Sequence, residues 1–154
     1  MCLAAVLVEA RELGYLGPGP IEVHLDHSRG FADAIEAAAG VGSCSEELMD
    51  LGSGGGLPGL ALGVLWPGAR VVLLDASRRR TEFLRSAVEA LGLEDRATVL
   101  RARAEDVGRD AQWRERAGVV VARSFGSPAV TAECGSALVR PGGLLVVSEP
   151  PSQE

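Results

Sequence analysis

From residue 47 onward, short apolar strands alternate with amphipathic helices, which predicts an α/β fold: an open, mostly parallel sheet with helices on both faces. Two further observations support that class. A glycine-rich run from Gly52 to Gly59 follows the first of these strands, and the next strand ends in an acid, Asp75, 23 residues beyond Gly52. In such a sheet a ligand binds at the carboxyl ends of the strands, where the strand order reverses.

The elements follow in order. Residues 2–13 have the composition of a short helix, ended by Gly14 and the turn Gly17-Pro18-Gly19-Pro20. A second helix is expected over 23–39, with Val23, Phe31, Ala34, Ile35 and Ala38 near one face and Gly40 and Gly42 closing it. Leu48–Leu51 reads as a strand running into the glycines, and a helix from Pro58 to Leu65 is stopped by Pro67-Gly68. Arg70–Asp75 is a buried type of strand. The helix expected over 77–91 carries Phe83, Leu84, Ala87, Val88 and Leu91 as its stripe, with Gly92 after it. Then come a strand at Ala97–Leu100, a helix over 106–116, a strand at Gly118–Ala122 and a helix over 127–139. Pro141-Gly142-Gly143 is a turn before a last strand, Leu144–Ser148. The organisation is a helical extension, 1–45, and a ligand-binding domain, 46–154, in one compact unit.

Composition narrows the class. The 154 residues are 47% hydrophobic and 23% charged, a globular balance. All 15 basic residues are arginine, and the net charge of −6 is uneven: residues 1–69 sum to −7, residues 70–140 to +3 and residues 141–154 to −2. Only the middle segment offers a basic face to a nucleic acid. Cys2, Cys44 and Cys134 form no CxxC pair, which argues against a disulfide framework or zinc site and for a reducing, cytoplasmic setting. The first apolar run stops at Glu9, so neither a secretory signal nor a membrane span is expected.

Asp50-Leu51-Gly52-Ser53-Gly54-Gly55-Gly56-Leu57-Pro58-Gly59 carries the chemistry. Glycines let the backbone turn sharply and approach a ligand with no Cβ in the way. The GxGxxG at Gly54, Gly56 and Gly59 gains meaning from its setting between strand and helix, and Asp75 is placed to accept both ribose hydroxyls of an adenosine. Two ligand classes use this geometry. A dinucleotide rests its pyrophosphate on the helix N-terminus. S-adenosyl-L-methionine has no phosphate and carries a sulfonium and an ammonium. Asp50 favours the second, because a carboxylate there repels a pyrophosphate and suits a cation.

On these residues the chain resembles the bacterial small-subunit ribosomal RNA guanine-N7 methyltransferases, the glucose-inhibited division protein B family. The likeness lies in Asp50–Gly59 with its Leu57-Pro58-Gly59, in Leu73-Leu74-Asp75-Ala76-Ser77 followed by Arg79-Arg80 and Phe83-Leu84, in Arg103-Ala104-Glu105, and in Ala122-Arg123-Ser124-Phe125. It covers residues 20–148 and implies a Rossmann-like class I methyltransferase fold. It further implies that Gly52, Gly54 and Leu57 line the S-adenosylmethionine site, that Asp75 holds the ribose, and that Ala104 and Glu105 meet the adenine. Arg123 would stand at the methyl-transfer end, and His27 sits where the family has a histidine before its first strand. Departures are a shorter N-terminal helical region without the family's Asn-Leu-Thr segment, Ser148-Glu149-Pro150-Pro151 in place of a Lys-Gly, and an end before the family's last two strands.

Guanine N7 has a free lone pair, so methyl transfer to it needs orientation and no general base. Arg123 is the candidate catalytic cation, orienting base or phosphate. It equally suits an ion pair with Asp50 or Glu105 that braces the loop. Phe125 is a candidate stacking surface for a base, beside His27 on the substrate side. His24 and His27 are too few for a metal, and none is expected. Either histidine could instead touch substrate or cap a helix end. Arg78-Arg79-Arg80 reads as a solvated helix face or a phosphate contact, and Trp66 and Trp113 as packing residues. Expected partners are ribosomal RNA or the small ribosomal subunit, no membrane, and a homodimer if a sheet edge is open. The rival readings are a methyltransferase of small molecules, a non-catalytic binding module of the same fold, and a nicotinamide-dependent enzyme.

Overall fold

A computed structural model describes residues 1–40 and 47–149. Gly42, Cys44, Pro150 and Pro151, which figure in the sequence reading, lie outside the described residues. The elements run α1 (Leu3–Glu12), α2 (Ile21–Ala39), β1 (Glu47–Leu51), α3 (Gly59–Leu65), β2 (Arg70–Asp75), α4 (Arg78–Ala90), β3 (Ala97–Arg101), α5 (Ala104–Arg109), β4 (Ala117–Arg123), α6 (Pro128–Leu138) and β5 (Val139–Ser148). The five strands form one sheet in the order β3-β2-β1-β4-β5, and every pairing is parallel. The order reverses between β1 and β4, so the loops leaving these two strands open a crevice at their carboxyl ends.

Side-chain alternation along each strand sorts the core into two layers. Leu48, Val71, Leu73, Val119 and Val121 face α1 to α4, packing with Val6, Phe31, Ile35, Leu60 and Leu84. Met49, Leu51, Val72, Leu74, Val120 and Ala122 face α5 and α6, packing with Val107, Cys134 and Leu138. Both faces of the central strands are covered, which is why those strands read as unbroken apolar runs. Trp66 and Trp113 sit against the two layers as packing residues, as expected.

Three details differ from the sequence reading. The buried stripe of α2 is Ile21, His24, Ser28, Phe31, Ala32 and Ile35, while Val23 is 60% exposed and Ala34 and Ala38 face solvent. The true stripe keeps helical spacing but contains two polar residues, which hid it. The helix expected over 106–116 is shorter and earlier, at Ala104–Arg109. Asp110 ends it: its carboxylate accepts the Gln112 N–H at 2.8 Å, its carbonyl accepts those of Trp113 and Arg114, and Glu115 follows at φ 52. Pro141-Gly142-Gly143 is a bulge within β5. Ala117 pairs with Val139 and Val119 with Leu144, so Gly118 alone stands opposite Arg140–Gly143.

No helix among the described residues is long and apolar enough to cross a membrane.

Candidate functional site

The crevice is built on the glycine loop. Gly52, Gly54 and Gly56 have φ of 66, 52 and 96, so the loop needs the left-handed region at three places within five residues. Asp75 ties it to the neighbouring strand: its Oδ2 accepts the Gly54 N–H at 2.9 Å and its Oδ1 the Ser77 N–H at 2.8 Å. Each oxygen keeps a second lone pair for a ligand. Asp75, Gly52, Ala104, Glu105, Ser124 and Phe125 line one cavity of about 310 Å³. A second, of about 260 Å³, is lined by Tyr15, Gly17, Gly54, Leu57, Arg123 and Ser124. The two adjoin across Gly52, Arg80 and Ser124, one bordered by the Asp75 carboxylate and the other by the Arg123 guanidinium.

Asp50 is placed otherwise than expected. It has the strand parity of Leu48, pointing to the face that α3 covers, and is fully buried. Its Oδ2 accepts the Gly59 N–H at 2.8 Å, and its Oδ1 is buried without a hydrogen-bond partner among the described residues. Burial pushes its pKa up to about 7, against the pull of the Gly59 N–H. Asp50 therefore does not share an open crevice with Asp75 and offers no surface to a ligand's cationic end. Its part is to hold the loop's exit into α3. Sealed there, Asp50 does not discriminate between a pyrophosphate and a cationic ligand.

Arg123 ends β4 with the parity of Val119 and Val121, so it leaves the sheet on the α2 side. Neither Asp50 nor Glu105 pairs with it. Its Nη2 donates to His24 Nδ1 at 2.9 Å, and its Nη1 is buried without a partner among the described residues. Burial lowers its pKa, and the charge of Asp50 opposes that. Ser124 follows at φ 54, a left-handed conformation in a residue with a side chain. This turn swings Phe125 to the other layer, over the loop: a Cβ on Gly52 would lie 2.9 Å from Phe125 Cδ2. Phe125 thus already packs on the glycine loop, and its accessible side faces the cavity that Asp75 lines.

Of the other candidates, Ala104 is buried and Glu105 exposed at the cavity's rim, at the start of α5. Leu57 packs with Leu7 and Ile21 and borders only the second cavity. His27 is exposed, stands edge-on to Phe31 at 5.6 Å and lines neither cavity, although Arg123 is near enough to contribute, after burial, to lowering its pKa. His24 is buried against Arg123, whereas His27, three residues on, is exposed. Arg80, in sequence a member of a basic run and of the pair that carries the family resemblance, borders both cavities, 4.0 Å from Asp75 Oδ2 and 5.9 Å over the Tyr15 ring. Arg78 is instead tied to Glu82 on the exposed face.

Comparison with known proteins decides the family. The family described as rRNA small subunit methyltransferase G (GidB) matches residues 25–150, which include the glycine loop, Asp75 and Arg123. The chain belongs to this family. The proteins named ribosomal RNA small subunit methyltransferase G from Roseiflexus sp. (strain RS-1) and Rubrobacter xylanophilus are 43% and 46% identical to it over 119 and 97 residues. Those matches cover 77% and 63% of this chain but 50% and 37% of the relatives. The chain thus spans about half the length of the curated relatives it matches. Among solved structures, a SAM-dependent methyltransferase from Geobacter sulfurreducens in complex with S-adenosyl-L-homocysteine superposes with TM-score 0.59 at 25% identity, covering 78% of this chain and 50% of that one. An RNA methyltransferase from Salinibacter ruber gives 0.53 at 22%, covering 76% and 65%, a likeness of fold alone. The family assignment agrees with the resemblance read from the loop motifs, and the class I methyltransferase sheet with the fold the alternation predicted.

Proposed function

We propose that this chain, a member of the methyltransferase G family, binds S-adenosyl-L-methionine in the crevice and serves methyl transfer to guanine N7 of small-subunit ribosomal RNA. The observation that carries the proposal is the crevice itself: a glycine loop clamped by Asp75 at one end and open to Arg123 at the other. That arrangement fits a nucleoside joined to a charged amino acid. The ribose hydroxyls meet the free lone pairs of Asp75, the adenine lies toward Ala104 and Glu105, and the amino-acid end lies toward Gly54, Tyr15 and Arg123. The family membership and the Geobacter sulfurreducens structure, whose bound ligand is S-adenosyl-L-homocysteine, support the same reading.

When bound, S-adenosylmethionine supplies an electrophilic methyl group. The protein's share is alignment, because guanine N7 presents its lone pair without deprotonation. Arg123 and Phe125 leave the end of β4 on opposite sides of the Ser124 turn. Arg123 supplies a partly desolvated cation that orients the carbonyl edge or phosphate of the acceptor. Phe125 supplies an apolar face against which a base stacks. His27, exposed on α2 beyond Arg123, belongs to the outer rim of that acceptor side. Nothing on this path calls for a general base, and Asp50, although it titrates near neutrality, is sealed beneath α3.

The test is incubation of the purified chain with methyl-labelled cofactor and either 30S subunits or a metabolite extract. Label in 16S RNA, released as 7-methylguanine on digestion, is expected. Transfer to small molecules alone would sink the RNA reading, and cofactor binding without transfer would make the chain a non-catalytic module.

A further inference from the structure

The segment covering the glycine loop and the tip of β4 meet in one side chain. Residues 15–17 lie over the loop so closely that a Cβ on Gly55 would stand 2.7 Å from Leu16 Cδ2 and 2.8 Å from the Tyr15 carbonyl oxygen. Seven residues beyond Gly17, in the first turn of α2 and on its buried face, His24 is 6% exposed. Its Nε2 lies 3.1 Å from the Gly17 carbonyl oxygen and its Nδ1 lies 2.9 Å from Arg123 Nη2. A guanidinium only donates and a carbonyl only accepts. Both contacts are satisfied by one form of the ring, the neutral imidazole with its proton on Nε2 and its lone pair on Nδ1.

We infer that His24 is a positioning residue: it fixes the Arg123 guanidinium at the crevice and couples it to the Tyr15–Gly17 cover. The inference rests on the proposed cofactor site for what Arg123 then does. An arginine at a strand end has several rotamers and loses conformational freedom when one is fixed. Here a buried acceptor selects the rotamer that keeps the guanidinium on the wall of the second cavity. The same ring holds Gly17, so displacement of the cover displaces the acceptor, and entry of a ligand and orientation of the cation are linked. A purely space-filling role does not explain a buried ring with both nitrogens engaged, since an apolar residue would fill the same volume without two polar groups to satisfy.

Two readouts on the full chain test it. Long-range 1H–15N spectra are expected to show a protonated Nε2 and a bare Nδ1 in His24, with the Nδ1 shift moving in Arg123→Ala. By calorimetry, His24→Leu is expected to weaken S-adenosylhomocysteine binding about tenfold, the scale of one well-placed contact. His24→Asn, which keeps an acceptor toward Arg123, should recover most of that loss. In an Arg123→Ala background His24→Leu should cost nothing further. A proton on Nδ1, or equal losses in both backgrounds, would overturn the inference. If His24→Leu fails to fold, His24→Asn against His24→Gln, which moves the acceptor away from Arg123, makes the same comparison. If the wild-type chain binds no S-adenosylhomocysteine, the cofactor reading fails, while the tautomer and its response to Arg123→Ala still decide the positioning role.

Discussion

The Asp50 carboxylate accepts the Gly59 N–H at 2.8 Å from a fully buried position, so the acid that opens the glycine loop works beneath it. The geometry leaves no room for a second side chain. A Cβ on Gly59 would lie 2.5 Å from both Asp50 Oδ2 and Leu73 Cδ2. Gly59→Ala is therefore expected to lower stability by about 1–3 kcal/mol, the usual cost of overpacking a tight contact. Thermal or urea unfolding of the two proteins in parallel measures it. An unchanged midpoint would mean that α3 can retreat from β1.

The same burial makes stability depend on pH with a definite sign. Because the folded protein raises the pKa of Asp50 from 3.8 to about 7, it holds the Asp50 proton more tightly than the unfolded chain does. The contribution is complete below the unfolded value and is lost as pH rises through the window from about 4 to 7. Asp50→Asn keeps an acceptor for Gly59 and removes the titration. Its melting temperature relative to wild type should rise between pH 5 and pH 8. Parallel pH profiles for the two proteins would show that Asp50 does not titrate in this window.

Asp75 clamps Gly54 and Ser77, and in the proposed function it also accepts the ribose hydroxyls. Asp75→Ala is expected to weaken S-adenosylhomocysteine binding by roughly tenfold to a hundredfold, as loss of charge-assisted hydrogen bonds to a carboxylate costs about 1.5–3 kcal/mol. Isothermal titration of both proteins checks it, with circular dichroism to confirm the fold. Unchanged affinity would move the ribose elsewhere.

Phe125 is placed to separate cofactor affinity from transfer. Phe125→Leu retains cover over Gly52 and removes the aromatic face, so cofactor binding should change less than about twofold while transfer to 30S subunits falls about tenfold, the cost of one lost base stack. Equal losses in the two assays would make Phe125 a wall of the cofactor site alone.

Much of this arrangement was legible in the chain. The bounds of β2 follow from Arg70 and Asp75, and the glycine loop between β1 and α3 from its setting, because local patterns fix both. The inward turn of Asp50 was also legible, since strand alternation gives it the parity of Leu48, although its place at the head of the glycine motif suggests a ligand contact. The burial of His24 is hidden for a different reason. The residue shares helical spacing with Ser28, Phe31 and Ile35, but two polar residues interrupt the apolar signal that marks a buried face. Arg80 reaches both cavities from the first turn of α4, a tertiary placement that local sequence does not encode. The Ser124 turn, which sends Arg123 and Phe125 to opposite layers, carries no glycine to announce it.

The central claim is that the crevice between Asp75 and Arg123 takes an adenosine linked to an amino acid. Equilibrium titration of the 154-residue chain with S-adenosyl-L-homocysteine and, separately, with NAD tests it most directly. The account predicts saturable one-to-one binding of S-adenosylhomocysteine, weakened by Asp75→Ala and tighter than that of NAD. Tighter binding of NAD, or S-adenosylhomocysteine binding that is indifferent to Asp75, would contradict it.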